Sequence, residues 1–186
     1  MKFQMPKAVT IMARTSSITN AFYNGIIPVI EPTDREISNA LSILDIDQNN
    51  VTCCYCGEPA TEWDHLRPLI INKEPTGYIS EIANLVPCCG KCNQSKGNKN
   101  WEDWINSSAK LSPKTRNVKN LSEKIAKIKA YEKSTNPIKI DNFESIVGKP
   151  LWEKHLENYK EIITLMKKCQ KTSDEIKEKI KNHFKQ

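Results

Sequence analysis

The sequence predicts an α+β fold: a small two-stranded element with a short helix, flanked on both sides by mostly helical segments. Two Cys-x-x-Cys pairs, Cys53/Cys56 and Cys89/Cys92, frame the centre of the chain. Residues 62–66 and 85–89 have strand character inside that frame. Outside it, apolar residues recur at helical spacing in residues 33–44, 121–133 and 150–168.

Residues 1–32 carry no clear pattern, although Ile26 to Ile30, broken by Pro28, reads as an edge strand or a buried arm. Thr33 is placed to cap a helix running to Leu44, with Ile37, Leu41 and Leu44 on one face. A polar break at residues 45–50 precedes the cysteine region. The strand at 62–66 takes the one at 85–89 as its partner, across a loop holding Pro68, Pro75 and Gly77. A short helix starts near Cys92, and residues 101–105 form another turn or helix. After a polar linker, the helix at 121–133 places Leu121, Ile125 and Ile128 on one side. Residues 136–149 are irregular, and Pro150 suits the first turn of a helix to Lys168. Its apolar face is Trp152, Leu156, Tyr159, Ile163 and Met166; Ser173 then caps a last helix. The expected organisation is an N-terminal arm and helix at 1–50, a core at 51–110 and a basic helical region at 111–186.

The 186 residues suffice for one ordinary domain, and the 38% hydrophobic content implies a modest core. No apolar run approaches the roughly 20 residues that span a bilayer, and the N-terminus begins no signal core. The expectation is a soluble, cytoplasmic protein with no membrane association. Net charge is +6. Residues 1–109 hold 9 Lys and Arg against 12 Asp and Glu, a balance of −3; residues 110–186 hold 19 against 10, a balance of +9. A basic half suits a polyanion, because lysines near phosphates release condensed counterions; solvated lysine-rich helix faces explain the charge equally well.

Six of the seven cysteines crowd into two clusters, with Cys169 apart. Paired Cys-x-x-Cys spacing without secretory signals points to metal rather than to disulfides. Each pair folds into a turn presenting two sulfurs to one tetrahedral ion, and thiolate softness selects zinc or iron over magnesium. Cys53, Cys56, Cys89 and Cys92 have the tight spacing; Cys54 and Cys88 are the alternatives. Four thiolates leave no open coordination position, so zinc here is structural. Buried free thiols and a redox dithiol are the competing readings.

Asp64-His65 lies inside the frame, and Asn84 and Asn93 lie on or beside its second half. The order Cys-x-x-Cys-Gly, Asp-His, then Asn-Leu-Val-Pro-x-Cys-x-x-Cys-Asn-x-x-Lys-Gly, over residues 53–97, resembles the HNH endonucleases with a zinc-bound ββα-metal fold. The resemblance implies that His65 is the general base and that Asp64 and Asn93 hold a catalytic magnesium or manganese ion. It implies that Asn84 accepts a hydrogen bond from the His65 ring. Many relatives carry histidine at the position of Asn93, and the amide favours a hard cation. Lys96 and Arg67 are candidate phosphate contacts. Imidazole titrates near neutrality, as a base that activates water must, and a hard cation neutralises charge on the transition state and leaving oxygen.

The function expected from the resemblance is DNA phosphodiester hydrolysis, leaving 5′-phosphate and 3′-hydroxyl ends. Flanks exceeding the minimal module favour a site-specific restriction endonuclease, acting as a homodimer on double-stranded DNA. Homing, phage-type or non-specific nucleases are alternatives. A zinc-dependent binding module that does not cleave is the reading from another class.

Overall fold

The computed structural model describes residues 4–184. In chain order the helices are α1 (Thr15–Asn24), α2 (Asp34–Ile43), α3 (Gly90–Lys96), α4 (Trp101–Ile105), α5 (Leu121–Ser134), α6 (Phe143–Val147) and α7 (Lys149–His183). The strands are β1 (Glu62–His65), β2 (Ile70–Ile71), β3 (Glu74–Pro75) and β4 (Leu85–Cys88). The architecture is mixed helix and small sheet, an α+β fold. It divides into two compact units, residues 24–141 and residues 4–23 with 142–184.

The unit at 24–141 is built around an antiparallel β1–β4 pair, with Glu62 opposite Cys88, Asp64 opposite Val86 and His65 opposite Leu85. Chain reversal at Cys89 starts α3, and Gly97, with φ +54°, ends it. Thr33 caps α2 reciprocally: its hydroxyl accepts from Glu36 N while Glu36 Oε2 accepts from Thr33 N at 2.7 Å. This agrees with the expected start, and Leu41 and Leu44 are buried as the spacing requires. Asn100 caps α4 by accepting from the backbone of Glu102 and Asp103.

Trp101 and Trp104 of α4 are buried beneath α3 and α5 rather than offered to solvent. Trp104 meets the Tyr55 ring edge-on at 5.1 Å and donates to Ser95 Oγ at 2.9 Å; Trp101 donates to Glu132 at 3.1 Å. Ile128 and Tyr131 of α5 close the core, and the Tyr131 hydroxyl donates to the Ile82 and Leu85 carbonyls at the entrance to β4.

The loop between β1 and β4 holds a hairpin that the sequence did not suggest. Ile70 pairs with Pro75 and Ile71 with Glu74, through Asn72 and Lys73, both at positive φ. Two left-handed residues make the tight turn whose twist matches a hairpin, but Lys in place of Gly hides it. Gly77, with φ +94°, permits the Ile140 backbone to approach so closely that any Cβ would collide with the Ile140 carbonyl. Ile140 N donates to Gly77 O at 2.8 Å, tying the segment after α5 to the loop. The arm at 26–30 has Ile27 buried and Val29 bridging Ser80.

In the other unit, α7 runs unbroken from Lys149 to His183, so Ser173 does not begin a new helix. No Gly or Pro separates Lys168 from Ser173. The polar residues there are absorbed within the helix: Gln170 donates to Asp174 at 2.8 Å and Thr172 to the Lys168 carbonyl. A Ser marks a helix start only where the chain leaves helical geometry. Residues 1–32 contain α1, whose buried positions are Thr19 and Tyr23 rather than a leucine stripe. Thr19 Oγ1 and the Tyr159 hydroxyl are 2.7 Å apart, Phe22 stacks on His155 at 4.2 Å, and Gln170 Oε1 accepts from Ile11 N. α6 falls in the stretch expected to be irregular, and Phe143 stacks on Trp152 at 5.6 Å. No helix among the described residues is long and apolar enough to cross a membrane.

Candidate active site and metal centre

Cys53 lies in a tight loop whose backbone is closed by Cys53 N to Glu58 O at 2.7 Å and Gly57 N to Cys53 O at 2.8 Å. Gly57 takes φ +81° to make that turn. Cys89 is the residue before α3 and Cys92 lies in its first turn, so the helix brings the second pair to the first. The four sulfurs of Cys53, Cys56, Cys89 and Cys92 all lie within 4.8 Å of one another. Cys56 Sγ and Cys89 Sγ are 3.6 Å apart. Zinc–sulfur bonds of about 2.3 Å in a tetrahedron imply sulfur separations of about 3.8 Å, so the donor set fits a zinc ion. Cys54 and Cys88 are buried outside this group.

Hydrogen bonds from Cys53 and Cys92 hold the Cys56 thiol far below its usual range, while the same bond pushes Cys53 up to about 12. Sharing of hydrogen bonds within the cluster thus favours a deprotonated sulfur, the form in which thiols ligate metal. Arg116 Nη1 donates to Cys92 Sγ at 3.3 Å, fixing the sulfur from outside the cluster.

β1 delivers its side chains alternately. Glu62 and Asp64 occupy one face, toward α3; His65 turns to the other. Asp64 is buried, and its Oδ2 accepts from the Tyr55 hydroxyl at 2.7 Å. Lys96, fully buried at the end of α3, places Nζ 3.0 Å from Asp64 Oδ2 and 3.2 Å from Oδ1, and donates to the His65 carbonyl at 2.8 Å. The lysine expected to meet phosphate is thus committed to the carboxylate within the protein. Burial raises the Asp64 carboxyl above its ordinary value, against the Lys96 charge and the Tyr55 hydrogen bond. One turn earlier on α3, Asn93 Nδ2 donates to Glu62 Oε2, which leaves the Asn93 oxygen available as a donor to a cation. β1 and α3 are therefore joined by two polar rungs, Glu62–Asn93 and Asp64–Lys96.

The His65 ring is 2.9 Å from Ser80 Oγ through Nε2. Burial, reinforced by the Lys96 charge, lowers its pKa to about 4, so the imidazole is neutral at neutral pH. Asn84 does not meet this ring. It is fully buried and clamps the strand exit: Oδ1 accepts from Arg67 N at 2.9 Å, and Nδ2 donates to Arg67 O at 3.0 Å and to Ile79 O. Its backbone carbonyl accepts from Leu66 N at 2.8 Å. The physical reason is backbone demand: where β1 leaves the ladder, the Arg67 amide and carbonyl need partners, and a buried amide side chain supplies both. Arg67 itself turns to Glu132, with Nε 3.7 Å from Oε1 and Nη2 donating to the backbone carbonyl, and lies over the Tyr78 ring.

Ser80, Tyr55 and Glu62 are the site groups that sequence reasoning did not single out. Glu62 was detectable as the residue two positions before Asp64 on a strand. Ser80 and Tyr55 carried no signal, since each reaches the site through tertiary packing.

No family model matches the chain, and no solved structure matches it. An alignment of 68 positions, covering 34% of the chain, is 35% identical to the CRISPR-associated endonuclease Cas9 of Corynebacterium diphtheriae, of which it covers 6%. The chain therefore combines a four-cysteine cluster able to hold zinc with a segment similar to part of an endonuclease.

Proposed function

We propose that this chain is a metal-dependent endonuclease that hydrolyses DNA phosphodiester bonds through an HNH site on a ββα-metal core. The observation that carries the reading is the convergence at the end of β1. Asp64, facing α3, and His65, on the opposite face, are consecutive at the end of the strand, next to a four-cysteine frame, with Asn93 and Lys96 of α3 against the same strand. The similarity of a segment to an endonuclease supports it independently.

In this reading zinc sits on Cys53, Cys56, Cys89 and Cys92 and fixes β4 and α3 to the Cys53 loop. Asp64 and Asn93 supply oxygen donors to a magnesium or manganese ion. Such an ion, when bound, neutralises charge on the phosphorane-like transition state and on the leaving 3′ oxygen. His65 takes a proton from the attacking water. With Nε2 against Ser80 Oγ, Nδ1 is the nitrogen left to take the proton, and burial keeps the ring neutral in the free protein. Asn84 holds the strand exit that aims the ring. The products are 5′-phosphate and 3′-hydroxyl ends on double-stranded DNA. The +9 balance of residues 110–186 supplies the phosphate attraction. Site-specific restriction by a homodimer is the role that flanks of this size favour over a homing, phage-type or non-specific nuclease.

One observation favours a second reading, a zinc-dependent nucleic-acid-binding module without catalysis: the Asp64 carboxylate already has a buried lysine as its counter-ion. Digestion of unmethylated plasmid and genomic DNA with magnesium or manganese, beside His65→Ala protein, separates the two. Discrete bands lost in the variant support the restriction nuclease. A metal-dependent smear lost in the variant retains the chemistry and removes the site specificity. Equal, metal-independent inertness of both zinc-loaded proteins leaves the binding module.

A further inference from the structure

α7 has two apolar faces, and the segment 11–22 covers only one. Tyr159 and Gln170 point to that segment through the contacts described above. Beside them runs a second stripe, formed by Ile162, Leu165, Cys169, Ile176 and Ile180, at spacings of three, four, seven and four residues. Those spacings keep one side of a helix in line over about five turns. All five side chains are exposed, Leu165 by 60%, Ile176 by 53% and Ile180 by 55%.

We infer that this stripe is the contact for a second copy of the chain, with the two α7 helices packed antiparallel about a centre near residues 170–171. The stripe is complementary to itself in that arrangement. Leu165 falls opposite Ile176, and Cys169 opposite Thr172. The flanking charges select the same pairing. Lys168 comes to face Glu175, twice because a two-fold contact repeats the pair. Among the described residues neither side chain has an ion-pair partner within the chain. A parallel, in-register pair directs such flanking positions to the residue five further on in the partner. That sets Lys168 against Ser173 and Glu175 against Ile180, and gains no ion pair. The surface is read from α7 alone and stands whether or not the chain cleaves DNA.

Sedimentation equilibrium of the full, zinc-loaded chain without DNA tests this. The wild type is expected to pass from the monomer to twice the chain mass as concentration rises. Leu165→Asp with Ile176→Asp, both exposed in the monomer, leaves helicity by circular dichroism unchanged and abolishes the dimer. Lys168→Glu replaces two attractions with two repulsions and weakens association by roughly tenfold; adding Glu175→Lys restores it. A wild type that stays monomeric up to about 100 µM, a concentration at which micromolar self-association would be complete, overturns the inference. So does a dimer indifferent to the two aspartates, or a double swap no stronger than Lys168→Glu alone.

Discussion

Replacing Lys96 with methionine keeps the length and volume of the side chain and removes its charge from a site with no solvent exposure. The ammonium lies 3.0 and 3.2 Å from the two Asp64 oxygens and donates to the His65 carbonyl. Loss of one partner from a buried ion pair costs ~3–5 kcal/mol, because the remaining charge is uncompensated. With a urea slope of about 2 kcal/mol per molar, the midpoint falls by about 2 M. Tryptophan fluorescence reports the change, since Trp63, Trp101 and Trp104 all lie within residues 24–141. Asp64→Asn alone strands the lysine and is expected to cost a similar amount. The double variant Lys96→Met with Asp64→Asn keeps an acceptor for Tyr55 and buries no charge, so it recovers about 2–3 kcal/mol relative to the sum of the singles. A Lys96→Met protein within about 1 kcal/mol of wild type, on this scale for buried pairs, refutes the argument. Additive costs in the double variant refute it as well.

The zinc set is checked by metal analysis: Cys92→Ser is expected to lose bound zinc and cooperative unfolding, whereas Cys54→Ala, outside the cluster, retains a full equivalent. His65 is expected to favour the folded state above pH 6.5, where it is neutral in both states. That contribution is lost progressively as pH falls toward about 4, because only the unfolded chain accepts the proton there; a His65→Phe protein lacking this acid-side slope confirms it in pH-dependent urea titrations. Ser80→Ala is expected to lower kcat roughly tenfold at unchanged KM, as loss of one orienting hydrogen bond implies, while Ser80→Thr recovers most of it. Nitrogen shifts of the His65 ring that do not differ between Ser80→Ala and wild type would remove the orienting role.

The local parts of the fold were legible because their causes are local. Thr33 with Glu36, the helical stripe at 121–133 and the cysteine spacing each act over a few residues, and α2, α5 and the sulfur cluster match them. The partnership of the strands at 62–66 and 85–89 was also readable, because both carry residues that the cysteine frame forces together. What escaped depended on distance. Ser173 looked like a cap because its neighbours are polar, yet Gln170 and Thr172 satisfy themselves along the helix. Lys96 was read as a phosphate contact because nothing in its sequence neighbourhood announces Asp64, 32 positions away. Asn84 was assigned to the ring, but the backbone at Arg67 had the stronger need. The sequence names which side chains carry chemistry; only the folded chain assigns their partners.

The order in which the core is completed has a consequence during synthesis. All four cysteines, both strands of the main pair and α3 lie between residues 53 and 96, so these contacts close short loops. Ile128 and Tyr131, which seal the same core, emerge 36 residues or more after Cys92, a delay of a few seconds at about 5–20 residues per second. During that interval Val86 and Trp101 have no cover from α5. With zinc bound as proposed, metal capture by the nascent chain would guard against misassembly: the sulfur cluster would latch β4 to its neighbours before the apolar lid exists.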